Sequence, residues 1–506
     1  MNSIKRRDFL RYSIALGLAT HYGWVAATPH MHHGEMMSPN MGGIGAIQAA
    51  DLPLMPPSAM PSGQPLSPLV QLANQSDQSA VFEADLEAKV VEMELAGGKK
   101  TEVWAYNGQL PGPQIVVNEG DTVRIRFKNS LSQPTTIHWH GLAVPEAQDG
   151  NPQDEVLPGQ TRLYEFKIAE NSAGTYWYHP HPHGLVAEQV YMGLAGSLII
   201  KSKTDPFAHL QEQHWLISDL RLDQDGRIPP NTLSDWINGR EGEFVLINAQ
   251  LTPQISLNGN QRLRIWNATS ARYFRLHLPN VEWIVVGTDG GLLEEPLSAG
   301  DELFLVPGQR LEVIPRISQN GTATLISRYY DRRKMMVREA PTTLTLAKVE
   351  LTQTDVALPQ RLRTFAALPP VAVKRTVVFR ERMASGMNGD TAGMLQNMFL
   401  VNDQVFDMKR IDFEGKQGET EEWLLFNSSH MDHPFHIHGT QFELINRTLN
   451  GETRQEPYRA KRDILNLKPM EKALIRFVQT EKGLKMFHCH ILEHETLGMM
   501  AMLQVK

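Results

Sequence analysis

The chain repeats itself, and the repeat limits what it can fold into. Asn107-Gly108-Gln109, Gly120-Asp121-Thr122, Asn129-Ser130 and His138-Trp139-His140-Gly141 recur, in order and at close spacing, as Asn402-Asp403-Gln404, Gly418-Glu419-Thr420, Asn427-Ser428 and His436-Ile437-His438-Gly439. A fainter copy between them keeps Asn248-Ala249-Gln250 and Trp266-Asn267-Ala268 but has no histidine pair. Recurrence on this scale means one supersecondary unit built several times. The 506 residues leave room for more than one domain. Three related units are expected, at residues 81–203, 204–352 and 370–506, with Pro369-Pro370 marking one junction.

Each unit reads as β-structure. Thr122-Val123-Arg124-Ile125-Arg126-Phe127 and Ala473-Leu474-Ile475-Arg476-Phe477-Val478 alternate apolar with polar residues, the period of a strand with one buried face. Long helical periodicity is scarce. The expected fold class is all-β, built from sandwiches. With 41% hydrophobic and 21% charged residues the chain can build sizeable cores. Its net charge of -7 and the lack of a basic block argue against nucleic acid as a partner.

The first residues carry a different signal. Lys5-Arg6-Arg7-Asp8-Phe9-Leu10-Arg11 precedes a modest apolar run from Tyr12 to Ala27, ending in the small residues Val25-Ala26-Ala27. Paired arginines before such a run are the twin-arginine export pattern, so residues 1–27 are read as a signal peptide. The run is short and broken by His21, which disfavours a membrane span. The mature protein is expected in the periplasm, as a monomer without a membrane span, after passage through the twin-arginine translocation machinery. Residues 28–80 open with His30-Met31-His32-His33 and continue rich in Met, Gly, Pro, Ala and Ser. Such a segment has little to bury and is expected to be flexible.

Export sharpens the meaning of the single cysteine, Cys489. It cannot form a disulfide within the chain, and a bare thiol in an oxidising compartment is exposed to oxidation. It stands between His488 and His490, with His494 and Met499 following. Three more histidine clusters exist: His138-Trp139-His140, His179-Pro180-His181, and His433-Pro434-Phe435-His436-Ile437-His438. All four fall in the first and last repeats. Imidazole suits several transition metals; two imidazoles with a thiolate and a weak thioether point to copper. On a strand, side chains at i and i+2 share a face and i+1 points away. His488 and His490 would then face one pocket and Cys489 another. Cys489 would join His433, His494 and Met499 in a mononuclear site, and the remaining pairs would meet between the first and last units. In the first repeat Pro180 stands where Cys489 stands, and Leu194 where Met499 stands, so the thiolate site occurs once.

At these motifs the chain resembles the multicopper oxidases, the family of laccases and the periplasmic copper-efflux oxidase. The resemblance covers most of residues 100–506, and His488 to Met500 is close to the copper-efflux branch. It implies three cupredoxin-like Greek-key β-sandwich domains and four copper ions. Carried over motif by motif, His433, Cys489, His494 and Met499 would hold the type 1 copper. His138 and His436 would hold the type 2 copper. His140, His179 and His490 would hold one type 3 copper, and His181, His438 and His488 the other. The family takes electrons singly at the type 1 site and reduces O₂ to water at the other three coppers. It also places acidic residues near that cluster; Asp149, nine residues after His140, and Glu495, next to His494, match. His183, His209, His214, His277 and His430 match no ligand role.

The reducing substrate is read from methionines. Met383, Met387, Met394 and Met398 fall on one helical face at about 100° per residue. The copper-efflux branch uses a Met-rich insertion to handle Cu(I), and Met431 matches a substrate-copper ligand of that branch. Here the insertion is shorter, carries Gly386, Gly389 and Gly393, and Ser429 replaces an acidic partner four residues before the type 1 histidine. Oxidation of Cu(I) or another metal ion is the first expectation. A phenol-oxidising laccase and a copper-sequestering periplasmic protein are the alternatives.

Overall fold

The computed structural model describes residues 53–382 and 391–506. Strands dominate, and they form six sheets that fall into three pairs. In the first pair, a four-stranded sheet led by Lys99–Tyr106 and Val81–Ala96 faces a second that contains Gly174–His179 and His138–His140. The middle pair has seven and five strands; the last has six and five.

The sequence repeat reappears as repeated pairing. In each pair the first long strand runs parallel to the strand of the Asn motif: Val81–Ala96 with Thr122–Asn129, Gln211–Leu220 with Gln261–Asn267, and Val371–Glu381 with Thr420–Asn427. In each facing sheet another parallel pair closes the unit: Gly112–Asn118 with Gly196–Lys201, Gln254–Asn258 with Leu344–Thr352, and Phe413–Gly415 with Met500–Val505. The motif asparagines explain the rest. Asn107, Asn248 and Asn402 all turn the chain at positive φ, at 52°, 53° and 51°. Each accepts, at its side-chain oxygen, a backbone N–H from its own first strand: Glu87, Leu216 and Val378. Asparagine tolerates this conformation and bonds locally, which is why it recurs.

The alternating patterns resolve into cores. Val123, Ile125 and Phe127 point inward between the first two sheets, with Phe82, Leu86, Tyr164 and Trp139. Burying side chains of this size contributes roughly 1.5–3 kcal/mol each. The middle core gathers Trp215, Ile265, Phe274 and Trp283, and the last Trp423, Phe435, Ile475, Phe487 and Cys489.

One expectation needs correction. Residues 53–80, placed in the flexible segment, are laid down against the sandwiches. Leu54 bridges to Asp223, Ser62 to Leu251, Pro65 to Gln254 and Gln71 to Gln114. Met55, Met60 and Leu69 are buried. A few apolar anchors and free sheet edges suffice to order a polar, proline-rich stretch. The signal peptide and the His30–His33 cluster lie outside the described residues.

Candidate metal centre

Two equivalent strand pairs bring the histidines together. His138 is directly opposite His179 across antiparallel strands, and His436 is directly opposite His488. The two units then meet face to face, with His138 stacked on His438 at 3.7 Å between ring centroids and His140 on His436 at 3.8 Å. These six histidines, together with His181 and His490, are fully buried.

Most of these rings are turned by what the outer nitrogen bonds, leaving the other to face inward. His138 Nδ1 lies 3.1 Å from the Asp149 carbonyl oxygen, and His436 Nδ1 lies 2.9 Å from the Asp463 carbonyl oxygen. Their Nε2 atoms consequently face each other at 3.4 Å. His438 Nδ1 donates to Asp149 Oδ2 at 2.9 Å, and His488 Nδ1 to the Cys489 carbonyl at 3.0 Å. Their Nε2 atoms meet at 3.2 Å, with His181 Nε2 3.3 Å from that of His488. His140 Nε2 bonds Asp463 Oδ1 at 3.1 Å, so its Nδ1 is turned toward His179 Nε2, 3.3 Å away. The His490 ring lies 5.0 Å from that of His140, and neither of its nitrogens has a partner.

Separations of 3.2–3.4 Å fit metal ligation. Two imidazole nitrogens each about 2.0 Å from one ion at a tetrahedral angle are about 3.3 Å apart. Burial, reinforced by neighbouring imidazoles, pushes His140, His179, His181, His436, His438 and His490 well below their ordinary pKa. They stay neutral and keep the lone pair that ligation requires.

On the other face of the same strand, Gly483–Cys489, a second site is built. Cys489 Sγ lies 3.3 Å from His433 Nδ1 and 3.9 Å from His494 Nδ1, and the two nitrogens are 3.4 Å apart. His433 is held through Nε2 by Glu381 Oε1 at 3.1 Å, and His494 through Nε2 by the Ile237 carbonyl of the middle unit at 3.0 Å. His494 also stacks on Phe399 at 3.9 Å. Met499 is buried, donates its N–H to the His494 carbonyl at 2.9 Å, and accepts from Cys489 N–H at 3.0 Å. The strand thus sends His488 and Cys489 to opposite sides, as its pleat requires. Burial pushes the Cys489 thiol well above its ordinary pKa, so binding a metal there must expel a proton.

Both acidic candidates touch the histidine cluster. Glu495 Oε1 lies 3.1 Å from His181 Nε2, and Oε2 lies 3.2 Å from His488 Nδ1. Asp149 reaches both His138 and His438.

This arrangement has counterparts. Residues 87–205 and 377–506 each match a multicopper oxidase family profile. A multicopper oxidase of Staphylococcus aureus is 30% identical over 437 residues, covering 83% of this chain and 88% of its own. The chain belongs to the multicopper oxidase family. A solved multicopper oxidase of Campylobacter jejuni, described as a metallo-oxidase, is 48% identical with a TM-score of 0.89, covering 92% of this chain and 99% of its own. The cell division protein FtsP of Photorhabdus laumondii is 30% identical over 71% of this chain and 75% of its own. The family implies copper, and the donor set fits it: imidazoles in clusters, with one cysteine sulfur and a nearby thioether at the second site.

Several supports of this multicopper oxidase were not evident from sequence. Glu381 supplies the carboxylate at His433 that Ser429 cannot; it ends a long strand and no motif marks it. Burial raises its carboxyl, but the neighbouring imidazoles of His430 and His433 outweigh that and hold it well below the ordinary carboxylate range. Asp463 is gripped by Arg310 of the middle unit through two contacts of 2.6 Å, and Asp289 lies beside the same guanidinium. Gly308, at φ +80°, presses against His490, where a Cβ would come within 2.9 Å of the ring. The middle unit buttresses both sites. Of the methionines, Met398 and Met431 are buried, Met398 within the last core, and Met394 packs against that core. Met383 and Met387 lie outside the described residues.

Proposed function

We propose that this oxidase couples one-electron oxidation of a reducing metal ion, Cu(I) among the candidates, to the four-electron reduction of O₂ to water. The observation that carries the reading is the two-sided strand. Cys489 serves an electron-entry site on one face, and His488 serves the histidine cluster on the other, so one residue step connects them. When bound, copper supplies reversible one-electron chemistry at the first site and O₂ binding at the second.

The chain's own residues do the rest. His433, Cys489, His494 and Met499 hold the entry ion. His138 with His436, His140 with His179 and His490, and His181 with His438 and His488 hold the other three. Asp149 and Glu495 stand where protons must arrive, since each O₂ consumes four protons along with four electrons. Burial of every ligand excludes bulk water, which keeps partly reduced oxygen from escaping. Export by the twin-arginine route, a periplasmic location and a monomeric state belong to the same proposal; among the described residues no helix is long and apolar enough to cross a membrane.

The test is O₂ uptake by the copper-loaded protein supplied with Cu(I), Fe(II), Mn(II) or a dimethoxyphenol. The proposal expects sustained uptake with four metal ions oxidised per O₂ and little hydrogen peroxide. Stoichiometric copper binding without turnover would instead mark a sequestering protein, and turnover confined to the phenol a laccase.

A further inference from the structure

Arg332 of the middle unit is buried, and its bonds lead to both histidines of the entry site. The short helix Leu233–Asn238 ends in carbonyls that it cannot bond itself. The Ile237 carbonyl accepts from His494 Nε2 at 3.0 Å, and the next one, of Asn238, accepts from Arg332 Nη2 at 2.8 Å. The Asn238 side chain is pinned to the same segment: it accepts the Met335 N–H at 2.6 Å and donates to the Met335 carbonyl at 3.1 Å. The Arg332 carbonyl accepts the N–H of Asp432, the residue before His433, at 3.3 Å. The guanidinium is further fixed by Glu241 Oε1, 2.7 Å from Nη2, and by the Tyr273 ring, whose centroid lies 5.4 Å away. Its Nη1 is buried without a hydrogen bond, so the interior holds this cation at a cost.

We infer that Arg332 is a positioning residue that sets the reduction potential of the entry site, a role that rests on the oxidase reading above. It braces the helix end whose carbonyl orients His494, and it keeps a permanent positive charge beside the site, since a guanidinium does not deprotonate. Each electron received makes the site more negative by one charge, with no atom transferred. A fixed cation stabilises that reduced form over the oxidised one. At an effective dielectric of about 20, a unit charge within about 10 Å changes such an equilibrium roughly tenfold.

The surrounding charges sharpen the effect. Glu241 is divided among Arg332, Arg272 at 3.3 Å and Lys334 at 3.0 Å, while Asp219 also holds Arg272 and Glu339 also holds Lys334. Three cations face three carboxylates, so removing the Arg332 charge leaves an anionic group against the site. The sign is the same at the ligand. Burial raises the Cys489 thiol most; among the charges acting on it, Glu495 and Glu381 add to the rise and Arg332 opposes it. By favouring the reduced form, Arg332 lets the site accept electrons from donors that hold them more tightly.

Charge and bracing are separable. Copper-loaded wild type, Arg332→Lys, Arg332→Gln and Arg332→Met are titrated without O₂ against a redox mediator of known potential, following the blue absorption. The expected result is that the equilibrium constant for reducing the entry site falls at least tenfold in Arg332→Gln and Arg332→Met, about 59 mV for a one-electron couple, and stays within about threefold of wild type in Arg332→Lys. Arg332→Gln and Arg332→Lys decide the matter if Arg332→Met does not load copper. Equal potentials in all the blue proteins overturn the inference. So does an equal fall in Arg332→Lys and Arg332→Gln, because the shape of the side chain and not its charge would then be responsible. A wild type with no blue absorption and no O₂ uptake overturns the oxidase reading beneath it.

Discussion

Asp149 and Asp463 occupy equivalent places on either side of the histidine cluster. Each offers its backbone carbonyl to the first histidine of its own unit, His138 at 3.1 Å and His436 at 2.9 Å. Each sends its carboxylate across to the second histidine of the other unit, His438 at 2.9 Å and His140 at 3.1 Å. The symmetry ends at the cation: Asp463 is locked by Arg310, while Asp149 Oδ1 has no hydrogen-bond partner.

That difference assigns different work. In the proposed function Asp149 serves proton delivery, while Asp463, held by Arg310, orients rings. Asp149→Asn should slow reoxidation of the reduced protein by O₂ about 10–100-fold, the usual scale for a residue supporting metal ligands. Glu495→Gln should behave alike, and both should keep the blue absorption, because neither carboxylate bonds the His433, Cys489 or His494 side chain. Asp463→Asn should show its main effect in reduced copper content. Stopped-flow reoxidation beside copper analysis reads both.

Arg310 is fully buried and ties the middle unit to Asp463. Removing one partner of a buried pair strands the other charge, at a cost of about 3–5 kcal/mol. Arg310→Met should therefore lower the thermal midpoint of the copper-free protein markedly. Arg310→Met with both Asp463→Asn and Asp289→Asn should recover much of that loss, since neither carboxylate beside the guanidinium then carries a charge. Differential scanning calorimetry on the copper-free forms measures it.

Glu493 precedes His494 and is buried, with Oε2 lacking a hydrogen bond. Burial pushes its carboxyl up from 4.5 to about 7. The folded protein then holds a proton, between those pH values, that the unfolded chain has released. The stability this proton supplies is full below about 4.5 and is lost as pH rises through about 7. The shift corresponds to a difference on the order of 3 kcal/mol. Glu493→Gln, neutral at every pH, should gain stability relative to wild type steadily from pH 4.5 to pH 7 and hold that gain above it. Thermal denaturation across this range tests it; parallel curves would exclude the burial argument.

The fold and the clustering of the histidines were legible because they are written in local patterns. Alternation gave the strands, the Asn turns gave the repeat, and His-x-His spacing with strand pleat gave two faces of one strand. The supports were not legible, because they come from across the fold. Arg310, Asp289 and Gly308 belong to a unit with no histidine motif, and Ile237 contributes only its carbonyl. Glu381 lies 52 residues before the histidine it bonds. Residues 53–80 misled by composition: their polarity is real, but Met55, Met60 and Leu69 find cover that only the folded sandwiches provide.

The central claim is that Cys489 serves one metal site while its neighbours serve another. The most direct measurement is the visible absorption and copper content of Cys489→Ser beside wild type. The account predicts that the variant loses the intense blue band and steady-state oxidation together while keeping close to three coppers of the four. A blue, active Cys489→Ser protein would contradict it.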